Sequence, residues 1–359
     1  SELPTQDTRR STMDDAPNLR FALRYRRTSL IDKTLLKDSS ARRRSFSAAL
    51  QQFEEQMEAA RIVTSATRPI NLYYGLVQAG LAITAAHTPG NWSFGKHGLK
   101  VVDMQSDLPG ITIRPDGDGA FQYVARATGS EQLADTVSLG ELWASLPGLC
   151  QFPLKGAASP IALELFSDRY AETEDRTEYG SAYFRAEIAV NGDLPEQADR
   201  ESWYRATMAD YPGMANAKLW GDSDTAFREA RKGRFLVAVG WPVPRGKPAP
   251  DISEEEIEAF FDRLAPRYRF EGERFLRPPA GPGKTPPPSP LMTWWLLLYT
   301  FSMISRYQPR KWAEILDLDK SPNAAVVQHA LEMALAVLPH LVLEALDKEP
   351  ILFGRPLRL

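Results

Sequence analysis

Between Leu291 and Leu346 the chain carries two strongly apolar, helix-compatible segments broken by a basic hinge, Ser305-Arg306-Tyr307-Gln308-Pro309-Arg310-Lys311-Trp312. Surface this apolar has to be hidden in a core, in a contact with another molecule or in a membrane. The first segment, around Trp294-Trp295-Leu296-Leu297-Leu298-Tyr299, meets Arg306 after about 15 residues and then Pro309, short of the roughly 20 that a spanning helix needs. The second, Ala324 to Leu346, is longer but is interrupted by Gln328, His329, Glu332, Pro339, His340 and Glu344. Both read as buried helices, with no membrane association expected.

A chain of 359 residues exceeds the size at which one core usually keeps growing, so two packed domains, or one core with an inserted subdomain, are expected. Apolar residues at 43% and charged residues at 25% leave enough material for such a core. The net charge of −3 predicts no general attraction to nucleic acid or to an anionic membrane. A local exception lies between Arg20 and Arg44, where Arg20, Arg24, Arg26, Arg27, Lys33, Lys37, Arg42, Arg43 and Arg44 face only Asp32 and Asp38. A solvated helix face is the simpler reading, and contact with phosphate or an acidic partner is the alternative. Cys150 is the only cysteine, which excludes an internal disulfide framework and suits a reducing compartment. Ser1-Glu2-Leu3-Pro4 lacks the pattern of a secretory leader, so a cytoplasmic location is expected.

Patterning along the chain suggests six regions. Residues 1–19 lack apolar periodicity and read as a flexible segment. Region 20–98 is helical: Phe46, Leu50, Phe53, Met57 and Ile62 recur on one helix face, and a second helix starts near Pro69 with Ile70, Tyr73 or Tyr74, Val77, Leu81 and Thr84. Gly75 and Gly80 weaken that helix but permit close backbone packing. Region 99–245 contains strands, the candidates being Leu99–Met104, Ile111–Arg114, Phe121–Arg126, Ser181–Val190 and Phe235–Val239, with a short helix over Leu139–Leu146. Region 246–277 connects, through a helix opened by a Ser253/Glu256 capping box. Residues 278–290 are a Pro-rich linker, and 291–359 form the C-terminal helical region. The fold class that follows is α+β, with long terminal helical regions packed together and a central mixed or antiparallel β-containing region. The joining faces should carry Leu72, Leu76, Leu297, Phe301, Leu331 and Leu335.

Complete chemical signatures do not emerge from the residues. Gly281-Pro282-Gly283-Lys284-Thr285 lacks the spacing of a phosphate loop, and its prolines have no amides to donate. Asp116-Gly117-Asp118-Gly119 fits a tight turn between strands and is too short for a calcium hand. His87, His97, His329 and His340 form no metal-ligand spacing, so neither a metal nor another cofactor is expected, and Glu172, Glu174, Asp175 and Glu178 read as a solvated acidic loop. The more informative polar groups sit in apolar surroundings: Arg68 and Asn71 at the start of the early helix, and Ser302, Ser305, Arg306 and Tyr307 at the end of the first C-terminal one. Such groups need partners when buried. Arg68, Asn71, Arg306, Tyr307, Arg310 and Lys311 are therefore the candidate ligand- or partner-binding residues. A nuclease reading would pair Arg61 or Arg68 with His87, His97 or His329 as acid or base.

Three elements, Arg68-Pro69-Ile70-Asn71-Leu72-Tyr73-Tyr74-Gly75-Leu76, His97-Gly98-Leu99 and Phe301-Ser302-Met303-Ile304-Ser305-Arg306-Tyr307-Gln308-Pro309, together resemble the bacterial YaaC-like protein family. The resemblance extends from about residue 42 through residue 346. It implies a domain identity and brings no catalytic residues or mechanism with it. The Arg-x4-6-His spacing of the common helical ribonucleases is absent after Arg61, Arg68 and Arg306.

The function expected is therefore a cytoplasmic protein-interaction or scaffold subunit, in a bacterial antiviral-defence or stress-response complex, with a protein partner or self-association to form an oligomer, and a non-enzymatic role is favoured. The alternatives are a nucleic-acid-binding protein with nuclease activity, using the basic N-terminal region, and a small-anion-binding protein using the hinge.

Overall fold

The computed structural model describes residues 16–158, 160–173, 182–243, 251–268 and 273–348. Three helices open it: α1 over Ala16–Ser29, α2 over Ser40–Ile62 and α3 over Arg68–His87. The side chain of Ser39 accepts from the amide of Arg42 and starts α2, whose buried stripe is Phe46, Ala49, Leu50, Phe53, Met57 and Ala60. Pro69 stands in the first turn of α3, where a missing amide costs nothing. The short link between α2 and α3 folds them into an antiparallel pair.

The central region opens with a small antiparallel sheet of β1 (Leu99–Val102), β2 (Thr112–Pro115) and β3 (Val137–Ser138), in that order. Between β2 and β3 lies α4, Ala120–Thr128. The expected strand over Phe121–Arg126 is thus a helix, and the Asp116–Gly119 turn joins a strand to a helix. The reason is local and tertiary at once. The Gln122 side chain accepts from the Gly119 amide at 2.9 Å and donates to the Gly98 carbonyl at 2.7 Å, while Gly129 ends the helix at φ 70°. Ala120, Phe121, Val124 and Ala125 then make one buried helical stripe. The short helix α5, Leu139–Ser145, begins on a Ser138/Glu141 capping box.

The larger sheet contains β4 (Leu163–Thr173), β5 (Ala182–Asn191), β6 (Lys218–Leu219), β7 (Phe227–Arg231), β8 (Arg234–Pro242), β9 (Arg267–Tyr268) and β10 (Glu273–Leu276). Its order is β6-β8-β5-β4-β10-β9 with β7 also paired to β8, and every pairing is antiparallel. Alternation along β5 sends Phe184, Ala186 and Ile188 to the covered face. That face is closed by α6 (Arg200–Met208) and by α7 (Glu254–Leu264), the latter started by the Ser253/Glu256 capping box. Phe184 stacks on Phe260 at 4.2 Å, and Trp203 meets Phe235 edge-on at 5.2 Å. Of the acidic positions, Glu174, Asp175 and Glu178 lie outside the described residues, as do 246–250 and 269–272 of the connecting region.

Three helices close the chain: α8 (Pro290–Tyr307), α9 (Pro309–Leu316) and α10 (Ala324–Asp347). The residues before α8 make a turn in which Ala280 bridges Thr285, and Ser289 caps the helix. α8 is buried on nearly every side from Leu291 to Ser302, between α3, α4, α5 and α10. α10 is long and apolar enough to cross a membrane by length and composition, and most of that stretch is buried inside this fold. Leu72, Leu76, Leu297, Phe301 and Leu331 meet in the shared core, with Leu335 packed at its margin.

Apolar burial therefore forms two clusters. One unites the terminal helices with the small sheet; the other lies between the large sheet, α6 and α7. Arg277 ties them together, donating from Nε to the Ser145 carbonyl and from Nη2 to Thr293, both at 2.8 Å.

Candidate functional site

Where α3 begins and α8 ends, the first cluster reaches the surface through a group of aromatic and cationic side chains. Tyr73 and Tyr74 are adjacent on α3, so one turns inward and the other outward. Tyr73 is fully buried against Trp295 at 6.0 Å and Tyr299 at 5.4 Å, ring centre to ring centre. Its hydroxyl lies 2.9 Å from Nδ1 of His97, a residue held in the turn before β1. The Tyr299 hydroxyl donates to the Leu99 carbonyl at 2.9 Å, which fixes that turn against α8.

Outside this buried layer stands Arg306, in the last turn of α8, where positive charge suits the helix dipole. Its Nη1 donates to the Tyr74 hydroxyl at 2.8 Å, and Nη2 lies 3.2 Å from the Met303 sulfur. The guanidinium also sits over two rings, 5.6 Å from the centre of Tyr74 and 5.1 Å from that of Tyr307. Tyr307 is 62% exposed and Tyr74 36%. Among the described residues no carboxylate pairs with Arg306, and its Nε is buried without an acceptor.

Burial sets the acid–base state of the inner layer. It raises the Tyr73 hydroxyl far above its usual range and pushes Tyr299 up to about 12. His97 is lowered, first by burial and then by the charge of Arg306. The imidazole is consequently neutral near pH 7, and a phenol that keeps its proton is suited to donate it to Nδ1. That assignment leaves the imidazole proton on Nε2.

The six candidate residues do not converge. Arg306 and Tyr307 stand together, joined by Tyr74. Arg68 faces backwards and closes the end of α2, donating from Nε to the Ala60 carbonyl at 2.8 Å and from Nη2 to that of Val63 at 3.0 Å. Asn71 holds the Gln56 side chain at 3.0 Å, across the α2/α3 contact. Arg310 is 94% exposed and pairs with Glu314 one helical turn away. Lys311 is inserted between the Met104 and Ser106 carbonyls, the latter at 2.6 Å, and burial lowers its affinity for a proton. Tyr74, which touches Arg306, is not among the six; the signal for it was its place beside Tyr73 on a largely apolar helix.

Nor do the remaining basic and histidine residues gather. Arg61 is near Glu58, at 3.8 Å. His87 binds the Leu346 carbonyl at 2.8 Å, about 20 Å along α3 from the Tyr73–His97 pair. His329 packs on Phe152, and His340 is buried in α10. The basic stretch from Arg20 is largely matched within the fold: Arg20 with Glu58 at 2.7 Å, Arg24 with Glu54 at 2.9 Å and Arg26 with Asp347 at 2.8 Å. Arg42 donates to the Ala85 and Thr88 carbonyls at 2.8 Å, and Arg43 to that of Leu36 at 3.2 Å. The first of these pairs line a groove of about 440 Å³ between α1 and α2.

Comparison with known proteins places the chain in a family. The model of the YaaC-like Protein family matches residues 14–346, which spans α1 through α10, while no curated protein and no solved structure matches. The three elements around Tyr73–Tyr74, His97 and Arg306–Tyr307 lie far apart in sequence and form one contiguous cluster in the fold. The chain belongs to the YaaC-like protein family.

Proposed function

We propose that the protein is a protein-interaction subunit of a cytoplasmic bacterial assembly and that it engages its partner through the Tyr74–Arg306–Tyr307 surface. A single observation carries this reading: an arginine without a carboxylate among the described residues is framed by two exposed tyrosines on a rigid helical base. Tyrosine and arginine are the residue types that most often supply the anchors of protein interfaces, because they offer large, stiff contact area together with a polar end. The base is stiff because Tyr73, Trp295 and Tyr299 fill the space beneath it.

Purification of the native protein under mild conditions, followed by mass measurement and identification of what remains bound, tests the proposal. Replacement Tyr307→Ala should release the partner while leaving the unfolding midpoint nearly unchanged, since so exposed a ring contributes little to folding. A wild-type chain that stays monomeric at all concentrations and retains no protein would count against the role.

A further inference from the structure

We infer that the group recognised at this surface is an anion, a carboxylate or a phosphate, bound by the Nη groups of Arg306 with the Tyr74 hydroxyl as second donor. This rests on the interaction reading above and specifies the chemistry of what is bound.

The case begins with how the fold treats its other half-buried and buried arginines. Arg26 is matched by both oxygens of Asp347, at 2.8 Å each. Arg274, 1% exposed, is matched by Glu258 at 2.6 Å and Asp262 at 2.7 Å. Arg234 meets Glu164 at 2.6 Å. Arg68 and Arg42 are satisfied by carbonyls. Arg27 also has a buried Nε without an acceptor but lies 3.9 Å from Glu54, whereas Arg306 has no carboxylate among the described residues. Its protein contacts are one phenol oxygen, one thioether and two ring faces, and its Nε–H is buried with no acceptor.

A guanidinium presents five N–H groups in a planar fork, matched in shape to the two oxygens of a carboxylate or phosphate. Here the rings of Tyr74 and Tyr307 lie near the guanidinium and hold it without neutralising it. The Tyr74 hydroxyl accepts from Nη1, so its own proton remains to be given to a bound oxygen. Neither neighbouring cation of the hinge competes for the role, because Lys311 is committed to the Met104 and Ser106 carbonyls and Arg310 to Glu314. The acid whose charge reaches Tyr299, Asp116, stands 3.9 Å from Arg114.

The test uses the full chain and two probes, inorganic phosphate and acetate, each titrated at constant ionic strength while the His97 ring signals are followed by NMR. Saturable binding of either probe, with the His97 titration moving upward as Arg306 is neutralised, is expected. Arg306→Gln should weaken that binding about tenfold or more, and Arg306→Lys, which keeps the charge and loses the fork, by a smaller factor. Near-UV circular dichroism checks that each variant is folded; were Arg306→Gln to unfold, the wild-type and Arg306→Lys titrations decide. Phosphate alone saturating points to a phosphorylated group, and acetate alone to an acidic side chain or chain end. Failure of both probes to saturate, or equal binding by wild type and Arg306→Gln, overturns the inference. Retention of a protein partner by Arg306→Gln but not by Tyr307→Ala would overturn it while leaving the interaction role standing. Saturable anion binding by a chain that retains no partner does the reverse.

Discussion

The Tyr73 hydroxyl and Nδ1 of His97 lie 2.9 Å apart, linking the first turns of α3 to the turn that enters β1. Burial and the neighbouring Arg306 both hold His97 below the usual histidine value, so the outer cation and the inner imidazole are electrostatically coupled. His97 should therefore titrate below 6.5 in the wild type and move upward in Arg306→Gln. NMR titration of the ring protons measures both values, and an unchanged His97 in the variant would disprove the coupling.

Acid should weaken the fold through its buried histidines. His340 is pushed down to about 4 by burial, and His87 and His97 are lowered in the same direction. A histidine that is harder to protonate when folded makes the unfolded chain the better proton acceptor, so stability falls as pH drops below about 6.5 and continues to fall toward 4. For His340 the loss is on the order of 3 kcal/mol across that window. Urea unfolding at pH 7 and pH 5 should reveal a decline that His340→Gln makes shallower.

Arg26 and Asp347 join the first helix to the last through a two-pronged ion pair that is mostly shielded from solvent. Removing one partner leaves the other charge stranded. Asp347→Asn should cost about 3 kcal/mol, and the added replacement Arg26→Met should recover part of it. Unfolding midpoints of the two single variants and the double variant decide this, and additive losses would mean that the pair contributes little.

At Gly80 the helix α3 passes so close to its neighbours that a β-carbon would stand 2.6 Å from Val124 Cγ2 and 2.8 Å from the Trp295 ring. Alanine favours a helix over glycine by about 1 kcal/mol, so propensity alone predicts a gain from Gly80→Ala. Overpacking should win, for a net loss of about 1–2 kcal/mol in denaturant unfolding. Gly75, where the nearest atom would be Gln56 Cβ at 3.2 Å, should tolerate the same change better.

Much of the fold was legible because burial writes a period into the chain. The stripe from Phe46 to Met57 and the alternation from Ala182 to Val190 each specify an element without outside help. Phe121–Arg126 was misread because six residues rich in β-prone side chains fit either period, and the decision lay with Gln122, which binds Gly98 24 positions away. The candidate residues were read with similar unevenness. Arg306 and Tyr307 were visible as polar groups at an apolar helix end. Whether Arg68, Arg310 and Lys311 shared their site depended on where each side chain found an acceptor, which spacing does not encode.

What the sequence by itself determined is the strongly periodic elements, α2, α3 and β5, with their buried faces, and the apolar pressure of α8 and α10 to be enclosed, since each follows from side-chain period over a short window. The tertiary structure alone decided that Arg306 meets Tyr74 close enough to His97 for its charge to be felt there, and that Arg306 is left unpaired by any acid among the described residues. Pairing of charges depends on through-space distances of a few ångströms between residues hundreds of positions apart, and those distances exist only once the helices have packed.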